Sequence, residues 1–325
     1  MARIASEFEF DLSIIKVGCF YTYKDYLIKV LDKDSASVDV NIVDSNNHVE
    51  KFVGTMEQLK SKLSPSEEVV RHKQFAKIMR TIQKGFAPYL AGPAGTGKSE
   101  LCKQIAEALG KDFYFANSIQ ERYELVGYGD AVGKLVDTEF YKAFTQGGLF
   151  FLDEIDNSDA SALITLNAAL ANKYITFPVV GRVDAHPDFC AIAAGNTCGR
   201  GGDSMYTERK QLDAASLNRF ELIRVGYDER IEMKIAKGNQ MLVDFVHDLR
   251  RASKRIDYPV TVSYRNIKAV TELENEFPLH EVIDMSVTKG AEADEVNMLY
   301  EALDDKRNKY ARAMHHLAAE LIDAY

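Results

Sequence analysis

Gly92-Pro93-Ala94-Gly95-Thr96-Gly97-Lys98-Ser99 has the residue types and spacing of a loop that cradles phosphate. Glycines at 92, 95 and 97 let the backbone turn tightly and aim several N–H groups inward at the start of a helix. There the unpaired donors and the helix dipole both favour an anion. Lys98 is placed to reach the β- and γ-phosphates of a nucleotide. Ser99 is placed to offer its hydroxyl to Mg²⁺, which takes a few protein oxygens together with phosphate and water. The stretch Gly92–Ser99, continued into Glu100, is therefore the expected ATP-binding segment, with Ser99 also a metal ligand.

About fifty residues downstream, Leu149-Phe150-Phe151-Leu152 runs into Asp153-Glu154. An apolar strand buried on both faces would deliver Asp153 at its carboxyl end to orient Mg²⁺ through water, and Glu154 to polarise a water attacking the γ-phosphate. An apolar run ending in Asp-Glu is common by itself; after a complete phosphate loop it reads as the second half of an ATPase site. Phe189 to Ala194 is a further buried strand, ending in Gly195-Asn196-Thr197. Asn196 could bond the attacking water or the γ-phosphate if these strands are neighbours in a parallel sheet, or be no more than a turn residue.

The elements that must hold these groups can be read from periodicity. Phe86 to Ala91 is a short buried strand before the loop, and Glu100 to Leu109 has apolar residues at helical spacing, closed by Gly110. Phe113 to Ala116 is a second short strand. Helical spacing at Glu121 to Leu125 is interrupted by Gly127-Tyr128-Gly129-Asp130-Ala131-Val132-Gly133 and resumes at Thr138 to Phe144. Tyr128 on that insertion either faces a partner or tucks against its own chain. Asn157 to Asn172 is a helix, followed by a hairpin from Tyr174 that turns at Gly181-Arg182. From Asp228 the pattern is helical: Arg230–Ala236, Gln240–Ser253, Tyr264–Glu276, His280–Val287 and a long closing stretch, Ala291 to Ala324. His315-His316 lacks the spacing of a metal motif and is assigned no chemistry.

Residues from about Phe8 to Leu63 look like a separate small unit. Alternating apolar positions in Ile14–Tyr21, Tyr26–Leu31, Val38–Val43 and His48–Val53 are broken by Lys33-Asp34-Ser35 and Asp44-Ser45-Asn46-Asn47. Four short strands with a terminal helix suggest an SH3-like barrel, either a docking surface or a stabilising appendage. Ser66, with Glu67 and Glu68 in the first turn, is then the expected N-cap of a helix running to about Lys84.

The 325 residues are 46% hydrophobic and 27% charged, enough for sizeable cores and against wholesale disorder. A net charge of −9 gives no global electrostatic case for binding nucleic acid or an anionic membrane, although a local basic patch could still bind nucleic acid. Cys19, Cys102, Cys190 and Cys198 stand singly with no C-x-x-C pair, which fits a reduced compartment and no zinc site. Charges at Arg3, Glu7, Glu9, Asp11 and Lys16 exclude a secretory apolar core, and no apolar run spans a bilayer, so the expected location is cytoplasmic.

Taken together, the phosphate loop, Asp153-Glu154, the hairpin before Asn196 and Leu212-Asp213-Ala214-Ala215-Ser216-Leu217-Asn218-Arg219-Phe220 resemble the AAA+ ATPases, specifically the MoxR-like, dynein-related group, over about residues 70 to 290. The resemblance implies an α/β AAA+ P-loop core with a parallel sheet over 65–226 and an α-helical lid over 227–325. The small β module, 1–64, lies outside it. Asn196 would be the sensor 1 residue and Arg219 the arginine finger acting on a neighbouring subunit's nucleotide, with Arg200, Arg209 and Arg224 next in line. Arg265, after Val260-Thr261-Val262-Ser263-Tyr264, resembles the sensor 2 arginine, except that tyrosine stands where the family often has proline. The implied activity is Mg²⁺-dependent ATP hydrolysis by a homo-oligomeric ring, a hexamer, remodelling or assembling a protein partner. A nucleic-acid motor of a restriction- or defence-type system and a nucleotide-gated scaffold are the alternatives.

Overall fold

The computed structural model describes residues 4–7, 12–13, 15–18, 20–23, 26–43, 49–63, 70–202 and 206–323. The chain divides into two compact units, Met1–Gly92 with Lys98–Val225, and Pro93–Gly97 with Gly226–Tyr325. Among the described residues no helix is long and apolar enough to cross a membrane.

The first unit opens with strands β1 (Ile4–Glu7), β2 (Phe20–Tyr23), β3 (Tyr26–Lys33), β4 (Val38–Val43) and β5 (Val49–Gly54), which pair in that order, then helix α1 (Met56–Lys62). β1 lies parallel to β2 and the other pairs are antiparallel. Ile15, Ile28, Val30, Val40, Ile42 and Leu59 are among the residues of a core of its own. The strand expected over Ile14–Tyr21 is found at Phe20–Tyr23 instead. Gly18 at φ 77° ends any extended run, and the Lys16 N–H and Gly18 N–H bond the Tyr21 hydroxyl and the Val30 carbonyl. The β3–β4 turn is the expected one: Asp34 Oδ1 accepts from Ala36 N and Ser37 N at 2.7 and 2.6 Å. The Asp44–Asn47 turn, the Ser66 cap and Cys19 lie outside the described residues. Helix α2 (Phe75–Gln83) begins later than expected, after a turn in which His72 Nδ1 accepts from Gln74 N.

A second sheet forms the centre of this unit. Its elements are β6 (Ala87–Ala91), α3 (Lys98–Leu109), β7 (Phe113–Ala116), α4 (Arg122–Val126), the short strands β8 (Tyr128–Gly129) and β9 (Leu135–Val136), α5 (Glu139–Gln146) and β10 (Gly148–Leu152). They continue with α6 (Ala160–Asn172), β11 (Tyr174–Phe177), β12 (Gly181–Asp184), β13 (Phe189–Gly195), α7 (Ala214–Leu217) and β14 (Phe220–Arg224). The sheet order is β14-β6-β13-β10-β7, every neighbouring pair parallel. Side chains alternate across a strand, so one buried on both faces must be apolar throughout, and all of Gly148–Leu152 is buried. Leu90, Leu149, Phe151, Ile192 and Ile223 pack with residues of α2 and α3; Tyr89, Phe150, Leu152 and Ala193 pack with residues of α5 and α6. Leu27 and Val43 of the first sheet join the α2–α3 layer.

Helix starts follow local capping. Thr138 Oγ1 accepts from Tyr141 N at α5, and the Asp159 side chain accepts from Ser161 N at α6, which starts at Ala160 after a tight turn over Ile155–Asn157 rather than at Asn157. The Gly127–Gly133 insertion is the β8–β9 hairpin, tightened by Asp130 Oδ1 accepting from Val132 N and Lys134 N. The β11–β12 hairpin turns over Pro178–Val180, with Val179 at φ 65°. Gly181 is already paired with Phe177, so the turn precedes the expected Gly181-Arg182.

In the second unit, α8 (Glu229–Ile235), α9 (Gln240–Arg255), α10 (Tyr264–Leu273), α11 (Leu279–Ile283), α12 (Ala293–Glu301) and α13 (Lys309–Asp323) enclose a core that includes Leu242, Val246, Ile267, Val282, Leu299 and Met314. The long closing helix expected over Ala291–Ala324 is divided. The buried Asp248 carboxylate takes the N–H groups of Asp304 and Asp305 at 2.8 and 3.0 Å, drawing the chain out of helix between α12 and α13.

Candidate nucleotide site

Gly92 leaves β6 in close contact with the flanking strand: a Cβ there would lie 1.9 Å from the Val225 carbonyl oxygen, so only glycine fits. Its N–H bonds Gly195 O at 3.2 Å, tying the loop entry to β13. Lys98, the first residue of α3, is buried, and its Nζ donates to Gly92 O at 2.7 Å and Asn196 Oδ1 at 3.2 Å. Burial pushes its pKa down to about 8, against the opposing pull of Asp153 and Asp156. An ammonium stripped of water in this way gains from any anion brought beside it, the condition a phosphate receptor needs.

Ser99 Oγ donates to Asp153 Oδ2 at 2.8 Å. A hydroxyl and a carboxylate oxygen in contact are the hard donor set that Mg²⁺ takes, so these residues fit the ion. Glu154 follows in left-handed backbone geometry, φ 49°, with its N–H on Asp153 Oδ1 at 2.9 Å. That conformation is uncommon for a side-chain-bearing residue and often marks functional sites. The Glu154 carboxylate accepts from Arg209 at 3.1 Å.

Two members of this network are not in the sequence-derived set of site residues. Asp156 is 0% exposed, and its Oδ2 accepts from Asn196 N, Thr197 N and Thr197 Oγ1 at 2.9, 2.8 and 2.9 Å. Its other oxygen lies 3.7 Å from Arg209. A single buried carboxylate thus holds the loop after β13 that presents Asn196. Gly195 is required beneath it, since a Cβ there would come within 2.5 Å of the Tyr89 hydroxyl. Arg209, considered from sequence only as an alternative finger, is an intrachain partner of both acids, and these contacts raise its pKa against the opposing effect of burial.

Residues 89–220 match the AAA domain (dynein-related subfamily). An uncharacterized protein of Staphylococcus aureus (strain NCTC 8325 / PS 47) is 30% identical over 202 residues, 55% of this chain and 73% of that protein. The chain belongs to the AAA family. A protein of Staphylococcus saprophyticus subsp. saprophyticus, also uncharacterized, is 26% identical over 221 residues, 61% of this chain and 81% of that one. Two structures of NtrX from Brucella abortus, one of them in complex with ADP, overlap at 15% identity with TM-scores of 0.41 and 0.42. They cover 66% and 81% of this chain; the chain spans about half the length (48%) of the first and 72% of the second.

Within this AAA chain the matched stretch contains Lys98, Asp153, Glu154, Asn196 and Arg219, and excludes Arg265. Arg219 lies at the opposite edge of the sheet from Lys98. It precedes Phe220, which pairs with Ala87 at the amino end of β6, and its exposed guanidinium has no hydrogen bond or ion pair among the described residues. Glu100 is exposed and accepts from Gln104 Nε2 at 3.2 Å, a helical i,i+4 contact. Among the described residues it is not joined to the Lys98 network.

Pro93–Gly97 belongs to the second unit and is described there. Gly95 and Gly97 have φ of 70° and 78°, and Thr96 Oγ1 donates to Pro93 O at 3.1 Å. Tyr264 N donates to Gly95 O at 3.2 Å, a bond a proline at that position could not make, and its ring approaches Gly97. Ala94 and Gly95 line a cavity of about 270 Å³ together with Arg265, whose helix is capped by Ser263 and Asn266.

Proposed function

We propose that this AAA protein is a Mg²⁺-dependent ATP hydrolase of MoxR-like type that acts as a homo-oligomeric ring, a hexamer, on a protein partner. The observation that carries the hydrolytic reading is the meeting of Lys98, Ser99, Asp153 and Asn196 at the carboxyl edge of the parallel sheet. Bound Mg²⁺ would neutralise charge on the β- and γ-phosphates, held through Ser99 and Asp153. The amides of Gly92–Ser99 and the Lys98 ammonium would bind the phosphates, and Glu154 would orient and deprotonate the attacking water. Asn196, held from behind by Asp156, would fix the γ-phosphate or that water. Arg209 acts as a positioning residue, keeping Glu154 aimed through its guanidinium.

Three parts divide this work: 1–64 as an SH3-like docking module, 65–226 as the catalytic core and 227–325 as a helical lid whose Arg265 senses nucleotide. Arg219, unpaired among the described residues and remote from its own Lys98, supplies the finger for the next subunit. The net charge of −9 favours a protein over a nucleic-acid partner.

Nucleotide binding and turnover measured side by side test the site. Lys98→Ala is expected to abolish measurable ATP binding. Glu154→Gln keeps binding while turnover falls about 10²–10⁴-fold, and chelation of Mg²⁺ stops wild-type turnover. Normal affinity in Lys98→Ala would overturn the cradle, and undiminished turnover in Glu154→Gln would place the base elsewhere.

A further inference from the structure

We infer that His280, His316 and Glu320 form a binding site in the second unit for a divalent transition-metal ion of the zinc class. His316 and Glu320 stand one helical turn apart on α13, so their side chains share a face. His280 comes from α11. The two imidazoles converge on the two oxygens of one carboxylate. His280 Nε2 lies 3.2 Å from Glu320 Oε2, and His316 Nε2 lies 3.6 Å from Glu320 Oε1. Their rings meet edge to face with centroids 4.6 Å apart, and one ligand atom from each residue lies within 4.8 Å of the others.

A tetrahedral ion bound at about 2.0–2.1 Å keeps its ligand atoms about 3.3–3.4 Å apart; the two His–Glu separations, each to a different oxygen of Glu320, and the 4.8 Å limit on the set lie close enough for side-chain rotation to bring one atom from each residue to that spacing. Two imidazole nitrogens with a single carboxylate select zinc-like ions over Mg²⁺ or Ca²⁺, which take oxygen ligands. His316 and Glu320 are 60% and 48% exposed, which leaves the fourth position to water and lets the ion enter and leave from solvent. Binding needs the Nε2 lone pair of each ring, so the protons rest on Nδ1 and the ion replaces the present His–Glu contacts. Because the ligands come from α11 and α13, the ion would cross-link two helices that close the same core.

The test uses full-length protein without a histidine tag, stripped with chelator and titrated with Zn²⁺ by calorimetry and with Co²⁺ by visible absorption. One ion per chain is expected, with a rise in Tm and a cobalt spectrum lacking the thiolate charge-transfer band that binding at Cys102, Cys190 or Cys198 would produce. His316→Ala and Glu320→Ala, both at exposed positions, should each weaken binding at least about 10-fold with unchanged circular dichroism. His315→Ala, whose ring stacks on Tyr300 instead, should bind as wild type. Absence of saturable binding, a thiolate band, wild-type affinity in the first two variants or equal loss in His315→Ala would each overturn the site.

Discussion

At the carboxyl edge of the parallel sheet, Lys98, Ser99, Asp153, Asp156 and Asn196 are joined to one another or to nearby backbone by bonds of 2.7–3.2 Å. At the amino edge Arg219 is exposed and unpaired among the described residues, and on the β8–β9 hairpin Tyr128 is 51% exposed, touching only the edge of Tyr123 among the ring contacts described. Charged and polar groups at the first edge are used on each other, which holds them in place before any ligand arrives and excludes water from Lys98. Among the described residues the Arg219 guanidinium has no such use, and the Tyr128 ring has only its contact with Tyr123. A cation and aromatic rings left in solvent are what a contact with another molecule would draw on.

This contrast can be broken most severely at Arg219. If it serves a neighbour, Arg219→Ala should lower turnover about 10³–10⁵-fold while leaving the fold and ATP binding intact. Mixed with Lys98→Ala protein it should regain part of the activity, because intact fingers then face intact loops. Full turnover in Arg219→Ala alone, or mixed rings that assemble but stay inactive, would remove the distinction between the two edges.

A smaller effect, on stability, sharpens the comparison from the other side. Asp156→Ala leaves the buried Thr197 N–H and hydroxyl and the half-buried Asn196 N–H without their acceptor and should cost at least about 2 kcal/mol. Asp159→Ala, a cap at the solvent side of α6, should cost about 1 kcal/mol. Denaturant midpoints at unchanged m-value compare the two directly, and equal shifts would show that Asp156 is not the buried keystone of the site. The smallest expected effect is at Tyr128. Tyr128→Ala should change stability by no more than roughly 0.5 kcal/mol and leave basal hydrolysis at its wild-type rate, while partner-stimulated hydrolysis drops. Loss of folding would instead mean that the ring is packed against its own chain.

Much of the α/β core was legible because its signals are local. A phosphate loop works through contiguous backbone, so Gly92, Gly95 and Gly97 announce it directly. A strand buried on both faces must be apolar in every residue, which marks Gly148–Leu152 and places Asp153 and Glu154 at its end. The expected break of helix by the Gly127–Gly133 insertion was equally local. The displaced first strand, by contrast, depended on the Lys16 N–H reaching the Tyr21 hydroxyl and the Gly18 N–H reaching Val30 O across the sheet, which alternation in Ile14–Tyr21 cannot foresee.

Contiguous residues were enough to mark the glycine-rich loop, the Asp153-Glu154 pair at the end of an apolar strand, and the alternation of strands and helices around them. Contacts between distant segments are what make Asp156 the buried anchor beneath Asn196, turn Arg209 inward to Glu154 while Arg219 faces out, and bring His280 to His316 and Glu320. The reason is physical. A carboxylate, guanidinium or imidazole has the same chemistry in any stretch of chain, and its role follows from desolvation and from partners brought near by packing between distant segments.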